Sequence, residues 1–159
     1  MNILRQWIPV SVMTGLSLLA APVFAEGTLN AQTKQNLEAA MHGEAYAHLK
    51  YLTYAEHARK SGHPEIAKLF DENANVEANE HFAREAEALK LAKSDEANLA
   101  DGMAGERYEN TKMYVRYAQQ ADAVGDTKVA AMFRQIAADE GDHYAAYRTA
   151  AEKLRTSSK

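Results

Sequence analysis

The chain has 159 residues, enough for one domain with a sizeable hydrophobic core. It contains no cysteine, which excludes disulfides, thiolate zinc sites, iron–sulfur clusters and rubredoxin-type iron from these residues. A formal net charge of −4 gives it no electrostatic reason to bind nucleic acid. Because prolines are few and Ala, Glu and Lys are abundant, the composition favours an all-α fold.

The first 25 residues have the three parts of a secretory signal. Arg5 gives a short positive start, residues 8–21 form an apolar run, and Val23-Phe24-Ala25 ends in a small residue. An uncleaved membrane anchor is the alternative, since residues 7–25 could barely span a bilayer. We predict cleavage after Ala25 and a periplasmic location, which leaves residues 26–159 as the mature domain.

Four helices are predicted from apolar periodicity and boundary residues, and they cover residues 31–60, 64–93, 103–124 and 127–155. Gly62 ends the first helix, and Pro64 is a favourable first residue for the second. Gly125 ends the third helix, and Asp126 caps the fourth. Residues 94–102 are predicted to connect the two halves, with room for one helical turn.

The two halves of the sequence repeat. Tyr54-Ala55, Gly62, Phe70, Glu77 and Glu80 recur 63 residues later as Tyr117-Ala118, Gly125, Phe133, Glu140 and His143. Gly43-Glu44 recurs 62 residues later as Gly105-Glu106. Two helical hairpins related by a pseudo-two-fold axis predict a four-helix bundle, with a crossover connection rather than simple up-and-down order.

Acidic residues lie on the apolar stripes of these helices, where a hydrophobic core is expected. The stripe of the last helix reads Val129, Phe133, Ile136, Glu140, His143, Tyr147 and Leu154. Glu44, Glu77, Glu106 and Glu109 continue the stripes of the other helices in the same way. Two carboxylates about 4 Å apart repel by roughly 4 kcal/mol at an effective dielectric near 20, so cations are expected between them. This set of acids suggests that two cations bind.

Glu140 and His143 form a Glu-x-x-His pair on one helical face. Di-iron carboxylate bundles combine such pairs from two helices with single carboxylates from the other two. Glu44 and Glu106 would be the single carboxylates, and Glu109 is a second acid on the Glu106 face. Oxygen ligands with one or two imidazoles suit two iron ions, or manganese.

The second pair departs from this pattern. After Glu77, the residue three positions on is Glu80, and the histidine is His81, four positions on. Both positions face the same side of a helix, so either side chain could bind. The repeat places Glu80 opposite His143 and favours Glu80, with His81 as the alternative ligand.

These motifs resemble the rubrerythrin family of ferritin-like proteins over about residues 36–155. The resemblance rests on Gly43-Glu44 with Tyr51, residues 66–70 before Glu77 and Glu80-His81, Gly105-Glu106-x-x-Glu109 with Met113-Tyr114, and Glu140-x-x-His143. It implies that Glu77 and Glu140 bridge two irons, with Glu44 on one and Glu106 with His143 on the other. In the family, the extra glutamate and the second-helix histidine exchange as ligands; these positions are Glu109 and Glu80 here.

The resemblance implies a di-iron peroxidase that reduces hydrogen peroxide. Tyr51 and Tyr114 would hydrogen-bond a ligand carboxylate or supply a proton or an electron; core tyrosines are the alternative interpretation. Electrons would come from a separate donor protein, because the chain lacks the family's rubredoxin domain. We also expect a homodimer. A ferroxidase that uses oxygen or peroxide to oxidise ferrous iron, and a non-enzymatic metal-binding bundle, are the alternative functions.

Overall fold

The computed structural model describes residues 29–157, so the predicted signal peptide lies outside it. The described residues form six α-helices, namely α1 (Ala31–Lys60), α2 (Pro64–Val76), α3 (Ala83–Leu89), α4 (Asp95–Tyr108), α5 (Tyr114–Ala123) and α6 (Thr127–Ser157). There is no strand between residues 29 and 157. None of the described helices is both long and apolar enough to cross a membrane.

Two π-helical turns join these helices into longer rods. Glu77–Phe82 connects α2 to α3, and Glu109–Met113 connects α4 to α5. With α1 and α6 they give the four predicted long helices. The first hairpin is α1 packed on α2–α3, and the second hairpin is α4–α5 packed on α6. The predicted fold class, all-α and ferritin-like with four long helices in two pseudo-symmetric hairpins, is confirmed.

The connection between the hairpins is shorter than predicted. Helix α3 ends at Leu89 because Lys90 adopts a left-handed conformation with φ 51°. Helix α4 begins at Asp95 rather than at residue 103, because the Ser94 side chain accepts a hydrogen bond from the Ala97 amide and caps the helix. Only residues 90–94 therefore separate the hairpins, and the prediction of a connection over residues 94–102 was wrong.

The turn of each hairpin is built in the same way. Gly62 (φ 76°) and Gly125 (φ 87°) adopt left-handed conformations that favour glycine. An ion pair crosses the two helices beside each turn. In the first hairpin it joins Arg59 to Asp71, and in the second it joins Arg134 Nη1 to Asp122 Oδ2 at 2.7 Å. The two pairs occupy equivalent positions with the charges exchanged.

Small side chains fill the interface inside each hairpin. Ala55, Ala67 and Ala74 are buried in the first hairpin, and their equivalents Ala118, Ala130 and Ala137 are buried in the second. An aromatic trio lies beside each interface, formed by Tyr51, Tyr54 and Phe70 and by Tyr114, Tyr117 and Phe133. Among the described residues, no large side chain is fully buried. Small side chains therefore form most of the buried interior of each hairpin, while many large apolar side chains remain more than a third exposed.

Candidate metal centre

The first hairpin gathers two carboxylates and an imidazole at one point. Glu44 lies in the middle of α1, and Glu77 and His81 lie in the first π-helical turn. His81 Nδ1 is 2.8 Å from Glu77 Oε2 and 3.8 Å from Glu44 Oε2. One ligand atom from each of these residues lies within 4.8 Å of the others. The three side chains could therefore share one metal ion.

The second hairpin contains an equivalent cluster. His143 Nδ1 is 2.7 Å from Glu140 Oε2 and 3.7 Å from Glu106 Oε2. These distances match those of the first hairpin to within 0.1 Å. We call Glu44, Glu77 and His81 the first half-site, and Glu106, Glu140 and His143 the second half-site. The structure thus brings together six of the eight predicted ligands, three in each hairpin.

Glu80 lies outside the first half-site, although the repeat favours it over His81. Its carboxylate is half exposed and accepts a hydrogen bond from Arg84 at 3.3 Å. The reason is the π-helical turn, which contains more residues per turn than an α-helix. The fourth residue after Glu77 therefore takes the orientation that the third has in α6. The geometry favours His81 as the partner of Glu77.

The π-helical turns also explain why the repeat shifts between 62 and 63 residues. His48 and Asn110 are equivalent at a shift of 62, whereas Tyr51 and Tyr114 are equivalent at 63, so the second turn adds one residue between them. The first turn then adds one residue to the first hairpin. Glu77 matches Glu140 at 63, and His81 matches His143 at 62. With this correction both hairpins carry the same ligand pattern.

The remaining predicted site residues lie close to the half-sites. Glu109 begins the second π-helical turn and is half-buried, but it is not part of the three-residue cluster. Tyr114 is half-buried, and its burial followed by the nearby charges of Glu109 and Glu140 raises the pKa of its hydroxyl. Tyr51 is also half-buried, with its ring centroid 5.9 Å from that of Phe70. Each tyrosine belongs to the aromatic trio of its own hairpin.

The crowding of acids changes the protonation of the half-sites. The pKa of Glu44 is raised above its ordinary value, first by a hydrogen bond with Glu77 and then by burial and the Glu77 charge. The pKa of Glu106 is raised by burial and then by a hydrogen bond with Glu140. The pKa of His143 is raised by its hydrogen bond with Glu140. The crowding of the acids therefore favours the protonated forms of these three groups.

Two side chains that the sequence did not predict as site residues tie the helices together beside the half-sites. His48 Nδ1 lies 2.8 Å from the carbonyl oxygen of Ala74, and Asn110 Nδ2 donates to the equivalent carbonyl of Ala137 at 2.6 Å. These carbonyls lie three residues before Glu77 and Glu140. These contacts set the positions of Glu77 and Glu140 along the helix axes of their hairpins. Their only sequence signal is the repeat at a shift of 62.

A third missed residue is Glu85, two turns beyond Glu77. One of its carboxylate oxygens is buried without a hydrogen-bond partner in the described chain, and its charge adds to the rise in the pKa of Glu44. A buried carboxylate oxygen without a donor is costly unless a cation or another donor approaches it. The donor set of each half-site, two carboxylates and one imidazole, suits iron or manganese.

Comparisons with known proteins agree with these features. A family model described as Rubrerythrin matches residues 35–151. Nigerythrin from Nitratidesulfovibrio vulgaris is 31% identical, over 92% of this chain and 77% of that protein. Rubrerythrins from Porphyromonas gingivalis and Clostridium perfringens are 35% and 33% identical, over 73% and 71% of this chain. The chain spans 64% and 66% of the length of these two rubrerythrins.

Solved structures of nigerythrin are also similar to the chain. The mixed-valence state is 26% identical over 96% of this chain and 81% of that chain, with a TM-score of 0.40. The fully reduced, all-ferrous state is 28% identical over 98% of this chain and 81% of that chain, with a TM-score of 0.41.

Proposed function

The chain belongs to the rubrerythrin family, and we propose that it is a di-iron redox protein that reduces hydrogen peroxide with electrons from a separate donor protein. The observation that carries the proposal is the pair of matched half-sites. Each offers two carboxylates and one imidazole in nearly the same geometry. Such a donor set suits iron, and the repeat relates the two sets as the two sides of one centre.

The six half-site residues would hold the metal ions. Glu77 and Glu140, the least exposed carboxylates of their half-sites, would hold the ions at the centre, as the family resemblance implies. Glu44 and His81 would complete the coordination of one ion. Glu106 and His143 would complete the coordination of the other. Glu109 would adjust the coordination from the adjoining π-helical turn. Glu80 would remain outside, paired with Arg84.

When bound, two iron ions would supply the two electrons that reduce hydrogen peroxide to two molecules of water, a reaction that also consumes two protons. A tyrosine hydroxyl is protonated at neutral pH, and burial followed by the charges of Glu109 and Glu140 raises the pKa of Tyr114 further. We assign Tyr114 the role of holding a proton at the phenol oxygen beside the second half-site. Tyr51 has the equivalent position beside the first.

The proposal is tested by metal analysis of the purified protein together with donor-linked turnover of hydrogen peroxide. The wild-type protein should hold two irons per chain and consume peroxide catalytically. Glu77→Ala and Glu140→Ala should each reduce the metal content to one ion or none. Glu72→Ala is the matched control, since Glu72 is exposed in α2, the helix that leads into Glu77, and pairs with Lys68. Equal metal content in all variants would contradict the assignment.

The same experiment distinguishes the alternative functions. Oxidation of ferrous iron with growth of a ferric mineral in an assembled cage, without donor-linked peroxide turnover, would identify a ferroxidase. Metal content without any redox turnover would identify a metal-binding bundle. Replacement of iron by manganese in the purified protein would change the assigned metal but not the ligand set.

We further propose that the protein is exported and that the mature chain begins at Glu26. The support is the charged start, the apolar run and the Val-Phe-Ala end of the first 25 residues. Mass analysis of protein from the cell envelope should give this N-terminus. A form that keeps residues 1–25 in the membrane fraction would overturn the cleavage and favour an anchor.

A further inference from the structure

The two hairpins stand apart within one chain. In the part of the chain that the structure describes, no helix of the first hairpin packs against a helix of the second. The charges that act on Glu44 come from its own hairpin, and those that act on Glu106 come from the other. Where the hairpins adjoin, a cleft of about 650 Å³ separates the start of α1 from the start of α4. Within one chain, the first half-site therefore does not meet the second half-site.

Hydrogen bonds tie each end of the connection between the hairpins to the neighbouring helix. The Leu91 amide donates to the Ala86 carbonyl of α3 at 2.9 Å. The Asn98 side chain of α4 accepts from the Lys93 amide at 2.9 Å and donates to the Lys93 carbonyl at 3.2 Å. Ala92 is the residue between these anchors. Extension of the connection to its full length would break these bonds.

The connection is also too short for one chain to close a crossover bundle. Ferritin-like folds place a long crossover between the two hairpins. From Glu77 to the end of α3 is about 18 Å of helix, and from the start of α4 to Glu106 is about 17 Å, at 1.5 Å per residue. To bring the half-sites level, the connection must span about 35 Å. Residues 90–94 reach at most about 22 Å when fully extended.

Apolar side chains at matching positions cover the open faces of both hairpins. Leu52, Ile66 and Leu69 of the first hairpin correspond to Val115, Val129 and Met132 of the second, at a shift of 63. All six are between 41 and 56% exposed. Ile66 and Val129 lie three turns before Glu77 and Glu140, on the same helical face as those ligands. Equivalent apolar surfaces around equivalent half-sites are suited to face each other across a two-fold axis.

We propose that two copies of this chain exchange hairpins, so that the first hairpin of each closes on the second hairpin of its partner. Each of the two bundles then contains one complete metal centre, with Glu44, Glu77 and His81 from one chain facing Glu106, Glu140 and His143 of the other. The composition of that centre rests on the proposed di-iron function. The exchange itself rests on the connection and on the open apolar faces.

Mixing two defective chains tests the shared centre. One chain carries Glu44→Ala with Glu77→Ala, the other carries Glu106→Ala with Glu140→Ala, and the two are coexpressed with different affinity tags. The mixed dimer, purified through both tags, should contain one intact centre and two iron ions, whereas each variant alone should lose them. The matched control is a mixed dimer whose two chains both carry Glu44→Ala with Glu77→Ala. A mixed dimer no richer in iron than this control would overturn the exchange.

A longer connection tests the exchange without reference to metal. An insertion of about fifteen flexible Gly and Ser residues between Ala92 and Lys93 gives enough reach for a single chain to close. Light scattering should find a dimer for the wild-type protein and a monomer for the insertion variant. A monomeric wild type, or an insertion variant that stays dimeric, would overturn the exchange. If the insertion produces monomers but the wild-type dimer holds no iron, the exchange stands and the di-iron function fails.

Discussion

Glu80 and His81 are neighbours in sequence but have different surroundings. This difference predicts that their substitutions by alanine have different effects. His81 Nδ1 contacts Glu77, whereas Glu80 pairs with Arg84 at the surface. We expect His81→Ala to lose one metal ion per chain and to slow the reoxidation of the reduced protein by peroxide. Glu80→Ala should keep two ions at an unchanged rate, because an exposed ion pair of this kind contributes about 0–1 kcal/mol. The reverse pattern would show that Glu80 is the ligand.

The half-site acids predict how the metal-free protein responds to pH. Glu44, Glu106 and His143 have a pKa above the ordinary value in the folded chain, so folding favours their protonated forms. The stability that this supplies is present at low pH and is lost as pH rises through each raised pKa. Urea unfolding of the chelated protein from pH 5 to pH 8 should therefore show falling stability relative to an E44Q/E106Q variant. A gap between the two proteins that is constant with pH would contradict this.

Most of the half-site could be predicted from the sequence because its acids interrupt apolar stripes. Glu44, Glu106 and Glu140 lie where a helix of regular period places them, so simple spacing locates them. His81 could not be separated from Glu80, because the period of an ideal helix puts both on one side of Glu77. Only the π-helical turn distinguishes them, and no residue type in Glu77–Phe82 marks such a turn.

The first π-helical turn, Glu77–Phe82, acts as a one-residue insertion between α2 and α3. Deletion of Asn79 would leave Glu77-Ala78-Glu80-His81, a Glu-x-x-His pair like that of α6. The turn should then become α-helical and restore the direction of His81, since Asn79 is exposed and donates its side-chain hydrogen bond to Asn75 of its own rod. We expect two metal ions and an unchanged or higher melting temperature.

Deletion of Asp142 provides the matched control. It would leave Glu140-Gly141-His143, and residues two apart lie on opposite sides of an α-helix. This variant should lose the metal of the second half-site. Equal metal loss in both deletions would show that the π-helical turn has a role beyond adding a residue.

The helix boundaries that the sequence predicted well are those marked by glycine or proline. Helix α1 and the start of α2 were located correctly from Gly62 and Pro64. The start of α4 was missed, because Ser94 is an N-cap in the structure and was assigned to the connection. Serine is common both in connections and at caps, so local sequence does not decide between them. The exact length of the connection therefore required the structure.

For the whole molecule, metal ions should contribute directly to stability. Without them, the carboxylates crowded within each half-site repel, and the binding energy of the ions is lost. Binding at a hundred times Kd adds about 2.7 kcal/mol, so chelation at pH 7 should lower the melting temperature by on the order of 10 °C. Chelation should leave the melting temperature of a Glu77→Ala, Glu140→Ala double variant unchanged. Identical melting of loaded and chelated wild-type protein would contradict convergence of the acids.

The charge-exchanged ion pairs beside the two turns bear on how a duplicated sequence avoids mispairing. Because the hairpins repeat, α1 could pair with α6 in the register it uses with α2. That arrangement would place Arg59 against Arg134, and pairing of α2 with α5 would place Asp71 against Asp122. The native partners attract where the wrong partners repel, which makes each helix recognise its own neighbour during folding. Reversing one pair, with Arg59→Asp and Asp71→Arg, would keep the native contact and remove this discrimination, so the yield of correctly refolded protein should fall.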